Sequence, residues 1–104
     1  MNETRKRLKR QYGVLFEQIT AALFEADPIG INFKSNTDEY DPEAGTIIPR
    51  LQSCNSAFDV NHVVFEEFCR WFDAESVGER KAYEQVSELI WRIWQDFNAR
   101  KANG

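Results

Sequence analysis

Cysteine and histidine are scarce in this chain of 104 residues, with Cys54, Cys69 and the single His62 as the only ones present. The cysteines form no C-x-x-C pair and have no second histidine near them, so neither a zinc site nor a redox couple is encoded locally. They are expected to be reduced, semi-buried thiols. The sequence also lacks a G-x-S-x-G elbow, a phosphate-binding glycine loop, an H-E-x-x-H pair and a dinucleotide fingerprint, which removes the common signatures of catalysis and cofactor binding. No stretch approaches the ~20 apolar residues of a membrane span, and the charged N-terminal segment is unlike a signal peptide. The expectation is a cytoplasmic protein without a membrane segment, cofactor, metal or catalytic residue.

What is present is enough for one core. Hydrophobic residues make up 42% of the chain and aromatics 13%, a composition that folds at this length without disulfide or metal. No repeat, low-complexity tract or linker divides the chain, so a single domain over 1–104 is predicted, frayed at residues 1–4 and 100–104.

Charge is unevenly placed. Arg5, Lys6, Arg7, Lys9 and Arg10 against Glu3 leave the first ten residues at +4, so the rest carries −8 to reach the total of −4. An acidic body repels nucleic acid and favours a basic protein partner, because long-range attraction speeds encounter.

Apolar periodicity predicts about four helices. Leu8, Tyr12, Leu15, Phe16, Ile19 and Leu23 recur at three- and four-residue spacing, which predicts one helix over about 3–25, weakened slightly at Gly13. Asp27-Pro28 ends it, and a long loop with turn-forming residues runs to about Tyr40. Asp41 as cap, Pro42 at the first position and Glu43 in the first turn predict a second helix, short or kinked at Pro49 and ending near Ser53. A third, central helix follows Asp59 as its cap, with Val60, Val64, Phe68, Trp71 and Phe72 inward. After a turn over 73–78, a fourth runs from about Glu79 to Ala99, with Ala82, Tyr83, Val86, Leu89, Ile90, Ile93, Trp94 and Phe97 inward. The predicted fold is an all-α single-domain bundle of about four helices, with its long loop between the first two.

Few residues are candidates for chemistry. His62 falls opposite the apolar arc of its helix, with Glu66 at i+4 as the only acid–base companion, and reads as a solvent-facing residue. The run Asp38-Glu39-Tyr40-Asp41-Pro42-Glu43 invites a calcium reading, but the central glycine and alternating spacing of an EF-hand loop are missing. Its residue types are otherwise those of turns and caps, or of an acidic contact patch anchored by Tyr40. Trp91 lies ~120° from the centre of its helix's apolar arc, beside Glu84, Glu88 and Gln95, so it is either a core-boundary residue or a second anchor. The candidate partner-binding set is therefore Asp38, Glu39, Tyr40, Glu43 and Trp91.

The segments Asp27-Pro28-Ile29-Gly30-Ile31, Asp38-Glu39-Tyr40-Asp41-Pro42-Glu43 and Ile47-Ile48-Pro49-Arg50-Leu51 resemble a group of small bacterial proteins in which a "DPIG" turn is followed by "DEYD" and a short helix. Some members of that group are similar to the immunity proteins encoded beside secreted toxins in contact-dependent growth inhibition and related systems. The resemblance implies a small helical cytoplasmic protein with no catalytic role, and, separately, an acidic small domain without catalytic residues is suited to covering the basic active-site cleft of a toxin that acts on nucleic acid. The alternative is a small helical adaptor or regulator unrelated to toxins.

Overall fold

The apolar stripe from Leu8 to Leu23 folds as two helices where the periodicity predicts one. In a computed structural model of the chain, which describes residues 3–28 and 40–103, α1 spans Glu3–Tyr12 and α2 spans Val14–Ala26. Gly13 between them takes φ 58° and ψ −127°, a conformation that side chains with a Cβ rarely adopt. Its amide still donates to the Lys9 carbonyl at 2.8 Å, so the stripe bends at the glycine without losing that bond. Gly13→Ala is expected to cost roughly 1–2 kcal/mol, because the new Cβ meets no atom within 4 Å and the whole cost is backbone strain. Thermal melting followed by circular dichroism checks this; an unchanged midpoint would mean that the break is not strained.

Asp27 ends α2 in the left-handed region (φ 46°), its amide donating to the Leu23 carbonyl at 2.8 Å. The long loop predicted after it falls mostly on residues 29–39, outside the described residues. The chain resumes with Tyr40, whose hydroxyl donates to Asp27 Oδ1 at 2.7 Å and so ties the start of the next helix to the end of α2.

The second predicted helix is short and altered where Pro49 requires it to be. α3 covers Asp41–Ile47 and passes into a 3-10 turn over Ile48–Ser53, since a proline cannot donate to an α-helical carbonyl four residues back. Tyr40 occupies the cap position and Asp41 is the first residue of the helix, which corrects the expectation that Asp41 is the cap. A close approach fixes how α3 sits on α1. A Cβ on Gly45 would lie 2.8 Å from Leu8 Cδ1, so glycine is what lets the two helices meet at that distance.

α4 spans Ala57–Trp71. Its cap is Ser56, whose Oγ accepts from the Asp59 amide at 3.2 Å, while Asp59 Oδ2 accepts from the Asn55 amide at 2.8 Å. Asp59 is therefore not the cap itself; its carboxylate reaches back past the cap to the amide of the preceding residue. The turn predicted over 73–78 contains a four-residue helix, α5 (Ala74–Val77), capped by Asp73. A second 3-10 turn at Arg80–Tyr83 leads into α6, Glu84–Asn103. The prediction of an all-α fold holds among the described residues, with six helices in place of about four because the glycine break and α5 add two.

α4 is central, packing against α3, α5, α6 and both 3-10 turns. Phe68 is the hub of its buried face, with ring centroids of Tyr40, Phe72 and Tyr83 at 5.9, 5.7 and 5.2 Å. Tyr83 keeps its polar end satisfied by donating to the Val77 carbonyl at 2.6 Å. Burial first, and then the neighbouring Cys69, push its phenol up to about 12. Trp71 departs from its expected inward position. It is 46% exposed and its indole donates to Thr46 Oγ1 at 3.1 Å, because it is the last residue of α4 and the neighbouring α3 offers a hydroxyl there. No helix among the described residues is long and apolar enough to cross a membrane.

Candidate functional site

Burial removes the described part of the acidic patch proposed from the sequence, Tyr40 and Glu43, from the surface. Tyr40, Ala44, Ile47 and Leu51 follow one another at four- and three-residue steps, with Glu43 and Ile48 beside them on the same face, and all six are buried. Tyr40 is 0% exposed and Glu43 4%, so neither is an accessible anchor and both are withdrawn from the partner-binding set. The spacing puts these residues on one face of the segment, and the packing of α1, α2 and α4 against α3 makes that face the inner one. Asp38 and Glu39 lie outside the described residues.

Trp91 has a different position. It is half-buried and packs on the core, and it lines a groove of about 1020 Å³ between α1, the 3-10 turn at 48–53 and α6. Tyr12, Trp91, Trp94 and Phe97 supply its aromatic surface, the last two stacked at 6.1 Å between ring centroids. Gln11, Gln52, Gln95 and Asn98 supply carboxamides, and among the described residues no charged side chain lines it. In a chain that is 29% charged, this combination matches the core of a protein interface, where aromatics are enriched and charges depleted. Carboxamides add donors and acceptors that take hydrogen bonds from a polypeptide without a charge to desolvate.

Cys54 closes one side of the groove. Its thiol donates to the Arg50 carbonyl at 3.6 Å, and burial first, then the charge of Asp59, push it above its usual range, which leaves it a poor nucleophile. Cys69 is exposed and is not joined to Cys54, so only Cys54 is the buried thiol expected.

A second groove, of about 510 Å³, lies where α4 meets the start of α6. Phe58 stands at its edge, 71% exposed, with the Arg80 guanidinium 4.7 Å from its ring centroid. Arg80 Nε donates to Asn61 Oδ1, and Asn61 Nδ2 donates to the Arg80 carbonyl at 3.3 Å. This reciprocal pair holds the guanidinium over the ring. Phe58 was missed in the sequence, although its position about 120° from Val64 on the helix marks it as off the apolar arc.

The charged residues of α4 form a separate cluster. Arg50 donates to Glu66 Oε1 at 2.7 Å and to Glu67 Oε2 at 2.8 Å, clamping the 48–53 turn to α4. That hydrogen bond holds the Glu66 carboxyl below its usual range. His62 is exposed, as expected, with Nε2 3.0 Å from Glu66 Oε2, and lines neither groove. Among the described residues there is no group of three or more His, Cys, Asp or Glu placed to hold a metal ion. Compared with known proteins, the chain matches no family model, no curated protein and no solved structure, so the site is read from its own residues.

Proposed function

We propose that this chain is a non-catalytic binding protein of the immunity class, which neutralises a basic toxin domain of the nuclease kind by occupying its surface. The observation that carries the reading is the groove of aromatic and carboxamide side chains in an otherwise charged chain, since buried aromatic anchors surrounded by polar groups are where binding energy concentrates. The −8 carried beyond residue 10 supports a basic partner, because opposite potentials steer association and suppress wrong partners. The resemblance of the Asp27-Pro28 and Asp41-Pro42 segments to immunity proteins points the same way. The contact is assigned to Trp91 and its groove in place of Tyr40 and Glu43.

Co-expression with a toxin domain found encoded beside this gene tests the reading. The parent chain is expected to restore growth, and Trp91→Ala, in protein that keeps its melting temperature, is expected to weaken the complex by about 30-fold or more through faster dissociation. Failure of the parent chain to protect would overturn the immunity reading. Full-strength binding by Trp91→Ala would remove the groove from it.

A further inference from the structure

Four carboxamides line the Trp91 groove from three elements, Gln11 from α1, Gln52 from the 48–53 turn, and Gln95 and Asn98 from α6. All four residues are exposed, and no carboxamide among them is hydrogen-bonded to another described residue. Asn61 shows the contrasting case. It spends both ends of its carboxamide inside the fold, Oδ1 accepting from Arg80 Nε and Nδ2 donating to the Arg80 carbonyl. At 100° per residue Trp91, Gln95 and Asn98 fall within an arc of about 60°, so they form one wall about 10 Å long. Leu15, Ile48 and Cys54, all buried, line the inner side of the groove.

We infer that the groove takes an extended, uncharged segment of the partner, with an apolar side chain turned onto Leu15 and Ile48 and its peptide groups hydrogen-bonded to the four carboxamides. The inference rests on the reading of this chain as a binding protein with its contact at Trp91, and adds to it what enters the groove. Each residue of an extended segment leaves one N–H and one C=O free, and a carboxamide offers the matching acceptor and donor on one side chain. A helix has already paired its backbone internally and has no use for four such groups. A charged segment is excluded by the lining, which holds no charged side chain among the described residues and would strand the ion. The wall from Trp91 to Asn98 matches about three extended residues at about 3.3 Å each. Attraction by the acidic body acts at a distance and brings a basic partner in, while the uncharged segment is what seats.

The test titrates the isotopically labelled chain with the peptide acetyl-Ser-Thr-Phe-Thr-Ser-amide and follows side-chain resonances by NMR. The indole signals of Trp91 and Trp94 and the carboxamide signals of Gln95 and Asn98 are expected to shift, and those of Trp71 and Gln18 to stay in place. The same peptide N-methylated at Phe and at the Thr after it keeps its side chains and loses two backbone donors, and is expected to bind about ten-fold more weakly or worse. A version with Lys in place of both Thr is expected to lose about ten-fold as well. Gln95→Ala with Asn98→Ala is expected to weaken binding of the parent peptide about ten-fold, and Gln18→Ala with Gln85→Ala, which removes two exposed carboxamides elsewhere, to change it less than about two-fold. No shift with the parent peptide, equal binding of the N-methylated peptide, or equal loss from both pairs of substitutions would each overturn the inference. Maltotriose producing the same shifts would assign the groove to a neutral sugar and overturn it too. The growth assay reads neutralisation of a whole toxin domain without these peptides, so a failed segment and a failed immunity reading give different results.

Discussion

Phe68→Ala is expected to lower the melting temperature by roughly 15–30 °C, because truncating a buried phenylalanine costs about 3–5 kcal/mol and each kcal/mol moves a domain of this size by several degrees. The argument is one of packing. Phe68 is 0% exposed and its ring touches aromatic rings from three other segments, Tyr40 at the start of α3, Phe72 just past α4, and Tyr83 before α6. A cavity there cannot be filled by one neighbour without pulling it from another. Phe58→Ala, ten positions earlier on the same helix, is expected to shift the midpoint by only a few degrees, since that ring is already in solvent. Circular dichroism melts of the two variants side by side decide it, and a Phe68→Ala midpoint close to the parent's would show that this is not the core.

Arg50→Met is expected to cost about 3 kcal/mol, for an electrostatic reason. Glu67 is 2% exposed and its carboxylate accepts from Arg50 at 2.8 Å, with Arg70 Nε at 3.9 Å. Removing Arg50 leaves a buried carboxylate without its main partner, and that penalty exceeds the worth of the pair itself. Adding Glu67→Gln is expected to regain most of the loss, because a neutral amide needs no counter-ion. Two single variants and the double variant, melted in urea, provide the cycle. If the double variant is no more stable than Arg50→Met, the buried charge is not the cause. The pH dependence has a definite sign. Arg50 holds Glu66 below its usual range in the folded chain, so this contribution is present above the ordinary glutamate range and is lost as the solution is acidified through it. Arg50→Met should flatten that acid-side loss.

Which faces of the helices turn inward was legible because helical spacing is local. Leu15, Ile19 and Leu23 on α2, Val60, Val64 and Phe68 on α4, and Val86 and Ile90 on α6 are all buried where the periodicity put them, whereas Leu89, expected inward at the edge of the same stripe, is 42% exposed. The effect of Pro49 was legible for the same reason, as it acts on the carbonyl four residues before it. Local chemistry was less decisive where two neighbouring residues compete for one role. Both Ser56 and Asp59 can cap α4, and the choice follows from where Asn55 places its amide.

The sequence by itself determined that the chain is helical, where most of its apolar faces lie, and that its charge beyond the first turns is negative, since each of these depends only on residue type and near spacing. Only the tertiary structure decided that Gly13 breaks the first stripe, that Tyr40 and Glu43 are interior, and that Trp91 borders a groove. The physical reason is that these outcomes depend on partners distant in the chain. Tyr40 is held by Asp27, thirteen residues away, Arg50 reaches Glu67 across seventeen, and the groove joins Tyr12 to Trp91 from opposite ends of the sequence. A polar or aromatic side chain is buried or exposed according to what packs over it, and periodicity along one helix carries no record of the helix that does so.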